Sequence, residues 1–309
     1  GTETIAFLKV LRFTRFMSAQ LIDGKAIAKE LHSETLTRVA ILKARGLQPC
    51  ILFMRIGEDP ASLAYVGMKD KKAAELGIKA LTKVFSEGTS QDELLSAIRE
   101  ANADKSIHGI LVQAPIPGIP QETVFSTISP EKDVDGFHPI NFGKLLLGDP
   151  TGFKPCTPAG VQELLSRSKI PTQGRNVLIL GRGNIVGKPL AAMLCQKGAG
   201  ADATVTLVHS RSRNIPELCR QADILVGAMG QAEFVKKDMV KPGATVIDVG
   251  VNRVEDPGSA KGYRLVGDIA FAEICEVAGH VTPNPGGVGP MTIAMLMANT
   301  VQAAENQTR

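Results

Sequence analysis

At 309 residues and 32.8 kDa, the chain is long enough for one large domain or two ordinary ones. Its 44% apolar and 21% charged residues make an ordinary folded composition, which excludes a disordered tail protein and a disulfide-stapled miniature. A net charge of +4, no Trp and only two Tyr offer little to nucleic acid, and no run of ~18 uncharged apolar residues offers a membrane span.

The opening residues 1–16, GTETIAFLKVLRFTRF, carry Lys9, Arg12 and Arg15 against Glu3 alone. They read as an appended or upstream extension before a start at Met17, being too poor in Ser for a transit peptide and without a signal cleavage site. From Lys25 to Arg45 the spacing of Ile27, Leu31, Leu36, Val39 and Leu42 predicts a helix, stopped by Gly46. Cys50 to Ile56 is a short apolar strand. The turn Gly57-Glu-Asp-Pro60 leads into a helix ending near Leu76-Gly77. Ile107 to Val112 reads as the next strand, closed by the breaker-rich run Ala114-Pro-Ile-Pro-Gly-Ile-Pro120. Phe153-Lys-Pro-Cys-Thr-Pro158 reads as a crossing between lobes.

From Asn176 the rhythm changes. Val177–Leu180, Thr204–Val208, Ile224–Val226 and Thr245–Val249 are short apolar runs, the first three separated by helical stretches; the link 227–244 is less clearly helical. Helix and strand signals alternate throughout, the mark of an α/β protein whose second half is a doubly wound nucleotide-binding unit. A rigid loop, Thr282-Pro-Asn-Pro-Gly-Gly-Val-Gly-Pro290, precedes a last helix from Met291 to Glu305.

Cys50, Cys156, Cys195, Cys219 and Cys275 are scattered without a C-x-x-C pair, which favours a reducing compartment and gives the expectation of a cytoplasmic protein. The five histidines show no ligand spacing, so no metal is expected.

Gly181-Arg-Gly-Asn-Ile-Val-Gly187 follows a strand and opens a helix, where backbone N–H groups can meet a pyrophosphate. The spacing is one residue longer than the usual dinucleotide fingerprint, and a tight turn alone would also explain it. The second strand of this half ends at His209-Ser210-Arg211-Ser212-Arg213, with no acid to hold a ribose 2′-hydroxyl. Ser210 and Arg211, with Arg182 in the first loop, suit a 2′-phosphate and hence NADP; solvated loop charges are the alternative. In the first half, Ser62, Tyr65 and Lys69 share one helix face, Gln113 sits at a strand mouth, and Asp133-Val-Asp135-Gly136 closes a turn. Surface positions are the alternative for the Tyr and Lys, and a turn or capping role for Asp135.

Five motifs occur in order: Tyr65-Val-Gly-Met-Lys69, Val112-Gln113, Lys132-Asp-Val-Asp135-Gly, Gly181-Arg-Gly-Asn-Ile-Val-Gly187 and Pro285-Gly-Gly-Val-Gly-Pro-Met-Thr292. With them the chain resembles the bifunctional methylenetetrahydrofolate dehydrogenase/methenyltetrahydrofolate cyclohydrolase family in its bacterial form, over roughly residues 17–305. One position departs: the family usually has Ser where Gly183 stands.

The resemblance implies a substrate lobe at 17–152, completed by 288–309, and an NADP-binding Rossmann-like lobe at 153–287. It implies hydride transfer from methylenetetrahydrofolate to NADP⁺, then hydrolysis of the methenyl cation in the same cleft. Lys69 would carry the proton, Gln113 would hold its amine in register, and Tyr65 would pack on the folate and orient Lys69. Asp135 would take the pterin edge, with Ser62 and Val112 nearby and the Pro285, Gly286 and Gly287 backbone as a wall. Gly181, Arg182, Gly183, Ser210, Arg211, Val251 and Gly289 would serve the cofactor. Members are commonly homodimers, the expectation carried here. A shikimate- or amino-acid-dehydrogenase-like enzyme, or a non-catalytic NADP sensor, is the rival reading; neither needs both the late Gly/Pro loop and the Tyr–Lys face.

Overall fold

Short, unbroken apolar runs suit strands covered on both faces, and the chain spends them on two parallel sheets. The computed structural model describes residues 19–259 and 262–307, so the reading of residues 1–16 lies outside the described residues. Its first elements are a two-residue strand, β1 (Gln20–Leu21), and the helix α1 (Gly24–Ala44). Asp23 caps α1 by accepting from the N–H groups of Lys25 and Ala26 at 2.9 and 3.0 Å. Leu36, read from the sequence into the apolar face, is exposed; Thr35 takes the buried position and satisfies its hydroxyl by donating to the Leu31 carbonyl at 2.8 Å.

In the first lobe β2 (Cys50–Ile56) lies between β3 (Lys79–Phe85) and β4 (Gly109–Val112), all parallel. Neither β3 nor the helix that follows it is among the elements expected from the sequence. Lys-Ala-Leu-Thr-Lys-Val-Phe is largely exposed along one edge of the sheet, where lysines are tolerated and no unbroken apolar run is needed. The expected strand from Ile107 begins two residues later, at Gly109.

The second lobe holds a six-stranded parallel sheet. Four of its strands match the four predicted runs: β5 (Asn176–Leu180), β6 (Thr204–Val208), β7 (Ile224–Gly227) and β8 (Thr245–Asp248). With β11 (His280–Val281) the order is β1-β11-β8-β7-β5-β6. Thus β1, which the sequence reading placed with the first lobe, pairs instead along β11 at the edge of the second sheet, Gln20 opposite His280. Two-residue strands carry too little pattern to be read in advance. Between β8 and β11 stands an antiparallel hairpin, β9 (Asn252–Glu255) and β10 (Tyr263–Val266). The link after β7, residues 228–244, holds a short 3₁₀ turn at Lys237–Met239 and a single bridge from Val235 to Ile269.

Two long helices tie the lobes together. The last helix, α10 (Val288–Asn306), runs beside α1, and both change partners along their length. Their first halves (Ile27 and Leu31; Met291 and Ala294) pack with Ile179, Val226 and Ile247 of the second sheet. Their later halves (Val39 and Leu42; Met297 and Val301) pack with Ile51 and Phe53 of the first. Helix α6 (Cys156–Arg167) lies against α10 so closely that a Cβ on Gly160 would stand 2.7 Å from Met291 Cβ. Each buried Leu or Ile removed from water here contributes roughly 1.5–3 kcal/mol, so the inter-lobe seam is a core in its own right. No described helix is long and apolar enough to cross a membrane.

Candidate functional site

Helix α2 (Pro60–Glu75) follows β2 through a tight turn. Proline at its first position and Asp59, which accepts from the Ser62 N–H at 2.7 Å, fix where it starts and therefore which way its faces point. Ser62 and Val66 are buried and Lys69 is half-buried on that inner face, while Tyr65 stands 43% exposed at its border. The Lys69 ammonium donates to Gln113 Oε1 at 2.8 Å. Gln113 is itself held at the end of β4: its N–H donates to the Met54 carbonyl at 2.8 Å and its Nε2 to the Ala114 carbonyl at 3.0 Å. With the amide nitrogen so used, the oxygen is the atom that faces Lys69.

The run Lys132–Gly136 divides its labour. Lys132 is buried and donates to the carbonyls of Ala101 and Asp104 at 2.9 and 2.6 Å, closing the end of α3 (Gln91–Ala103). Asp133 accepts from the N–H groups of Phe137 and His138 and from Asn141 Nδ2, at 3.1, 2.8 and 2.8 Å, and so shapes the turn. Val134 is core. Gly136 has φ of +81°, and a Cβ there would lie 2.6 Å from the Pro155 nitrogen, so the chain passes where only glycine fits.

Asp135 is left for the site. Burial pushes its carboxyl above the ordinary range, while the Lys69 charge and the Cys156 thiol pull it back. Burial likewise lowers Lys69, with Asp135 opposing. The result is an amine and a carboxyl in one desolvated pocket, each closer to its neutral form than in water.

In the second lobe, the Gly181–Gly187 loop joins β5 to α7 (Gly187–Leu194). Gly181 has φ of +117°, and a Cβ there would lie 2.1 Å from the Ala228 carbonyl oxygen; one on Gly187 would lie 1.9 Å from the Gly181 oxygen. Arg182 and Gly183 are exposed above this tight crossing. Ser210 and Arg211 are exposed in a turn closed by His209, whose Nδ1 accepts from the Arg211 N–H at 3.2 Å. Val251 is 57% exposed after β8.

Profiles of two family parts match this chain: the tetrahydrofolate dehydrogenase/cyclohydrolase catalytic domain over residues 22–135, and the NAD(P)-binding domain of the same name over 155–308. The chain belongs to the tetrahydrofolate dehydrogenase/cyclohydrolase family. A bifunctional protein FolD of Prosthecochloris aestuarii is 50% identical over 286 residues, covering 92% of this chain and 97% of that protein. Among solved structures, the bifunctional FolD methylenetetrahydrofolate dehydrogenase/cyclohydrolase of Campylobacter jejuni shares 43% identity with a TM-score of 0.88, over 93% of this chain and 99% of that one. The Trypanosoma brucei FolD, solved with NADP cofactor and an inhibitor, shares 38% identity with a TM-score of 0.88, over 94% of this chain and 99% of that one.

For a tetrahydrofolate dehydrogenase/cyclohydrolase, the Gly183 departure is sterically idle. Nothing lies within 4 Å of a Cβ placed there, so the fold has room for the usual serine and does not require its loss. In the Pro285–Thr292 run, Pro285 and Gly289 are exposed and Gly286 and Gly287 are buried. A Cβ on Gly24 would stand 1.8 Å from the Gly287 oxygen, which pins the loop to the start of α1. Thr292 then meets Thr157, hydroxyl to hydroxyl at 3.0 Å, one residue from Cys156.

Two neighbours of Asp135 went unread in the sequence. Cys156 donates to the Val134 carbonyl at 3.3 Å, and burial raises its thiol well above 9. Asn299 donates to the carbonyls of Val134 and Lys154 at 2.8 and 3.1 Å. Asn299 did leave a signal: an amide on the inward face of an otherwise apolar helix needs partners. Among the described hydrogen bonds, Lys69 is joined to Gln113, and none links it to the Tyr65 hydroxyl.

Proposed function

We propose that this chain oxidises 5,10-methylenetetrahydrofolate to 5,10-methenyltetrahydrofolate with NADP⁺, then hydrolyses the methenyl cation to 10-formyltetrahydrofolate in the same cleft. The observation that carries the reading is the 2.8 Å bond from Lys69 to Gln113, with Asp135 coupled electrostatically to the same amine. NADP⁺, when bound, accepts the hydride.

The cofactor-side donor set fits such a ligand. Gly181 and Gly187 let the loop fold tightly on the chain's own backbone at a helix start and leave Gly183 exposed above it, which favours a pyrophosphate, and Arg182 with Ser210 and Arg211 supply hydroxyl and guanidinium donors for a 2′-phosphate. Val251 and Gly289 complete that side. The hydride step requires alignment more than proton transfer.

Hydrolysis differs. Water adds to the cationic carbon and must lose a proton; the ring C–N bond then breaks and the ring nitrogen takes one up. Lys69, lowered by burial and further by the substrate's own positive charge, can take the first proton and return it. Gln113 keeps the amine from turning away. Asp135 accepts from the pterin ring N–H and exocyclic amine as a fork, and Ser62 and Val112 are further substrate-binding positions. Tyr65 offers an exposed ring for the folate to pack on, and Pro285, Gly286 and Gly287 form the opposite wall.

On this reading residues 17–152, completed by 288–309, form the folate lobe and 153–287 the NADP lobe, with β1 lent across. The working form is a homodimer in the cytoplasm, as the resemblance implies. An absorbance assay with methylenetetrahydrofolate and NADP⁺ tests the activity: NADPH and then 10-formyltetrahydrofolate are expected, and no NADPH from a folded sample refutes the proposal.

A further inference from the structure

The carboxyl ends of β7 and β8 are paired, Gly227 opposite Asp248, and the loops leaving them are bound by a side chain that arrives from further along the chain. Asp268, which follows β10, is 1% exposed. Its Oδ2 accepts from the N–H groups of Met229 and Gly230 at 2.6 and 3.0 Å, and its Oδ1 from the Gln231 N–H and Asn252 Nδ2 at 3.0 and 2.8 Å. Four donors use up the lone-pair sites of a carboxylate. Three of them are consecutive backbone N–H groups, an arrangement that elsewhere cradles a ligand's anion and here cradles the chain's own.

A second carboxylate supports the first. Asp248 Oδ1 accepts from the Asp268 and Gly250 N–H groups at 2.9 and 3.1 Å, and the Asp248 N–H donates to Thr282 Oγ1 at 2.8 Å. Glycines leave the space for both acids. A Cβ on Gly250 would lie 2.1 Å from Asp268 Oδ1, and one on Gly267 would lie 1.5 Å from Asp248 Oδ2. The loop so clamped touches the Gly-rich turn, because Gly181 packs on the Ala228 carbonyl, and the Gly250–Asn252 turn it is tied to presents Val251 outward.

We infer that Asp268 is a positioning residue for the cofactor: it fixes the 228–231 loop and the Val251 turn against each other without touching the ligand. The inference rests on the NADP reading above. Saturated and buried, the carboxylate has no acceptor left for a ligand. What it controls is the spacing of two loops on which a nicotinamide would have to align with the folate carbon. The folate-side groups Lys69, Gln113 and Asp135 belong to the other lobe, so the hydrolytic step does not depend on it.

The test is Asp268→Asn in the full chain, with NADP⁺ affinity by calorimetry and both activities in one preparation. The swap turns one acceptor oxygen into a donor facing donors. NADP⁺ affinity is expected to fall about tenfold or more and dehydrogenase kcat to drop, while hydrolysis of methenyltetrahydrofolate, which uses no cofactor, stays within about twofold. Unchanged NADP⁺ affinity in a folded variant, or hydrolysis lost as far as oxidation, overturns the inference. Should Asp268→Asn fail to fold, Asn252→Ala decides. It removes one donor at a half-buried position, and about threefold weaker NADP⁺ with hydrolysis intact is expected, whereas unchanged affinity overturns the idea. An unmutated chain that does not bind NADP⁺ refutes the cofactor reading itself, a distinct result.

Discussion

The two halves of the site are made from different materials. In the first lobe, side chains do the work: an amine, an amide and a carboxyl are brought into a desolvated pocket where burial shifts the amine down and the carboxyl up. In the second lobe the surface is mostly backbone: Gly181 and Gly187, which admit no Cβ, loops clamped from beneath, and exposed Ser210 and Arg211 at the rim. The contrast follows from the chemistry proposed for each. Moving a proton at neutral pH requires a group whose affinity for it has been tuned, whereas hydride transfer requires distance and angle. Substitutions in the first lobe should therefore separate the two activities or remove substrate binding, and those in the second should move cofactor affinity.

The largest separation is expected from Lys69→Met. Hydrolysis should fall by about 10²–10⁴, the range for removing a general acid–base group, while part of the oxidation survives. The measurement is the two rates in one folded sample; an equal loss of both, with folate binding intact, removes Lys69 from the proton path.

Asp135→Asn should cost a few kcal/mol, about 1.5–3, in folate affinity, since the amide keeps one acceptor and turns the other into a donor facing a donor. Both activities drop together, and NADP⁺ titration is unaffected. The variant has a second signature. Asp135 holds the Lys69 pKa up against burial, so its neutralisation lowers Lys69 further. The rising limb of residual hydrolysis against pH then moves toward lower pH. Normal folate affinity in the folded variant returns Asp135 to a turn role.

How much of this could be read in advance depended on the kind of signal. The strands β2 and β5 to β8 are short, mostly apolar runs and are legible, as is the Gly181–Gly187 loop. Edge strand β3 carries two lysines and β1 has two residues, so neither offers a pattern; β1 also crosses to the other lobe, a purely tertiary fact. At the candidate site, the helical spacing of Ser62 and Lys69 foretold a shared face. It could not foretell that Lys132 and Asp133, just before Asp135 in the same motif, serve a helix end and a turn. Cys156 and Asp268 act through contacts dozens of residues away in sequence, beyond any local period.

A milder change tests the cofactor side. Replacing Ser210 with Asp and Arg211 with Ala should shift the NADP⁺/NAD⁺ preference by roughly 1.5–3 kcal/mol, the worth of a hydrogen bond to a charged group. The new carboxylate repels a 2′-phosphate and accepts from a 2′-hydroxyl. Steady-state kinetics with both cofactors is the measurement, and an unaltered ratio places the 2′-phosphate grip away from this turn. Hydrolysis of methenyltetrahydrofolate should not change.

The smallest effect, and the one with opposite signs, is expected at Ser62. The residue is 3% exposed, and Oγ finds no hydrogen-bond partner among the described residues. Serines within helices often satisfy the hydroxyl on the carbonyl four residues back, but Ser62 lies in the first turn of α2, where no preceding turn supplies one. Its N–H is already taken by Asp59 at 2.7 Å. A buried, unpaired hydroxyl costs about 1–3 kcal/mol, so a stable fold gains nothing by keeping it. A substrate does gain, because the hydroxyl shares the inner face of α2 with Lys69. Ser62→Ala should therefore leave the melting temperature unchanged or raise it, while weakening folate binding by about 0.5–1.5 kcal/mol, the net worth of one neutral hydrogen bond. Thermal unfolding and a folate titration on the same preparation give both signs. A lowered melting temperature with normal folate affinity would mean that the hydroxyl serves the fold, and Ser62 would leave the list of binding residues.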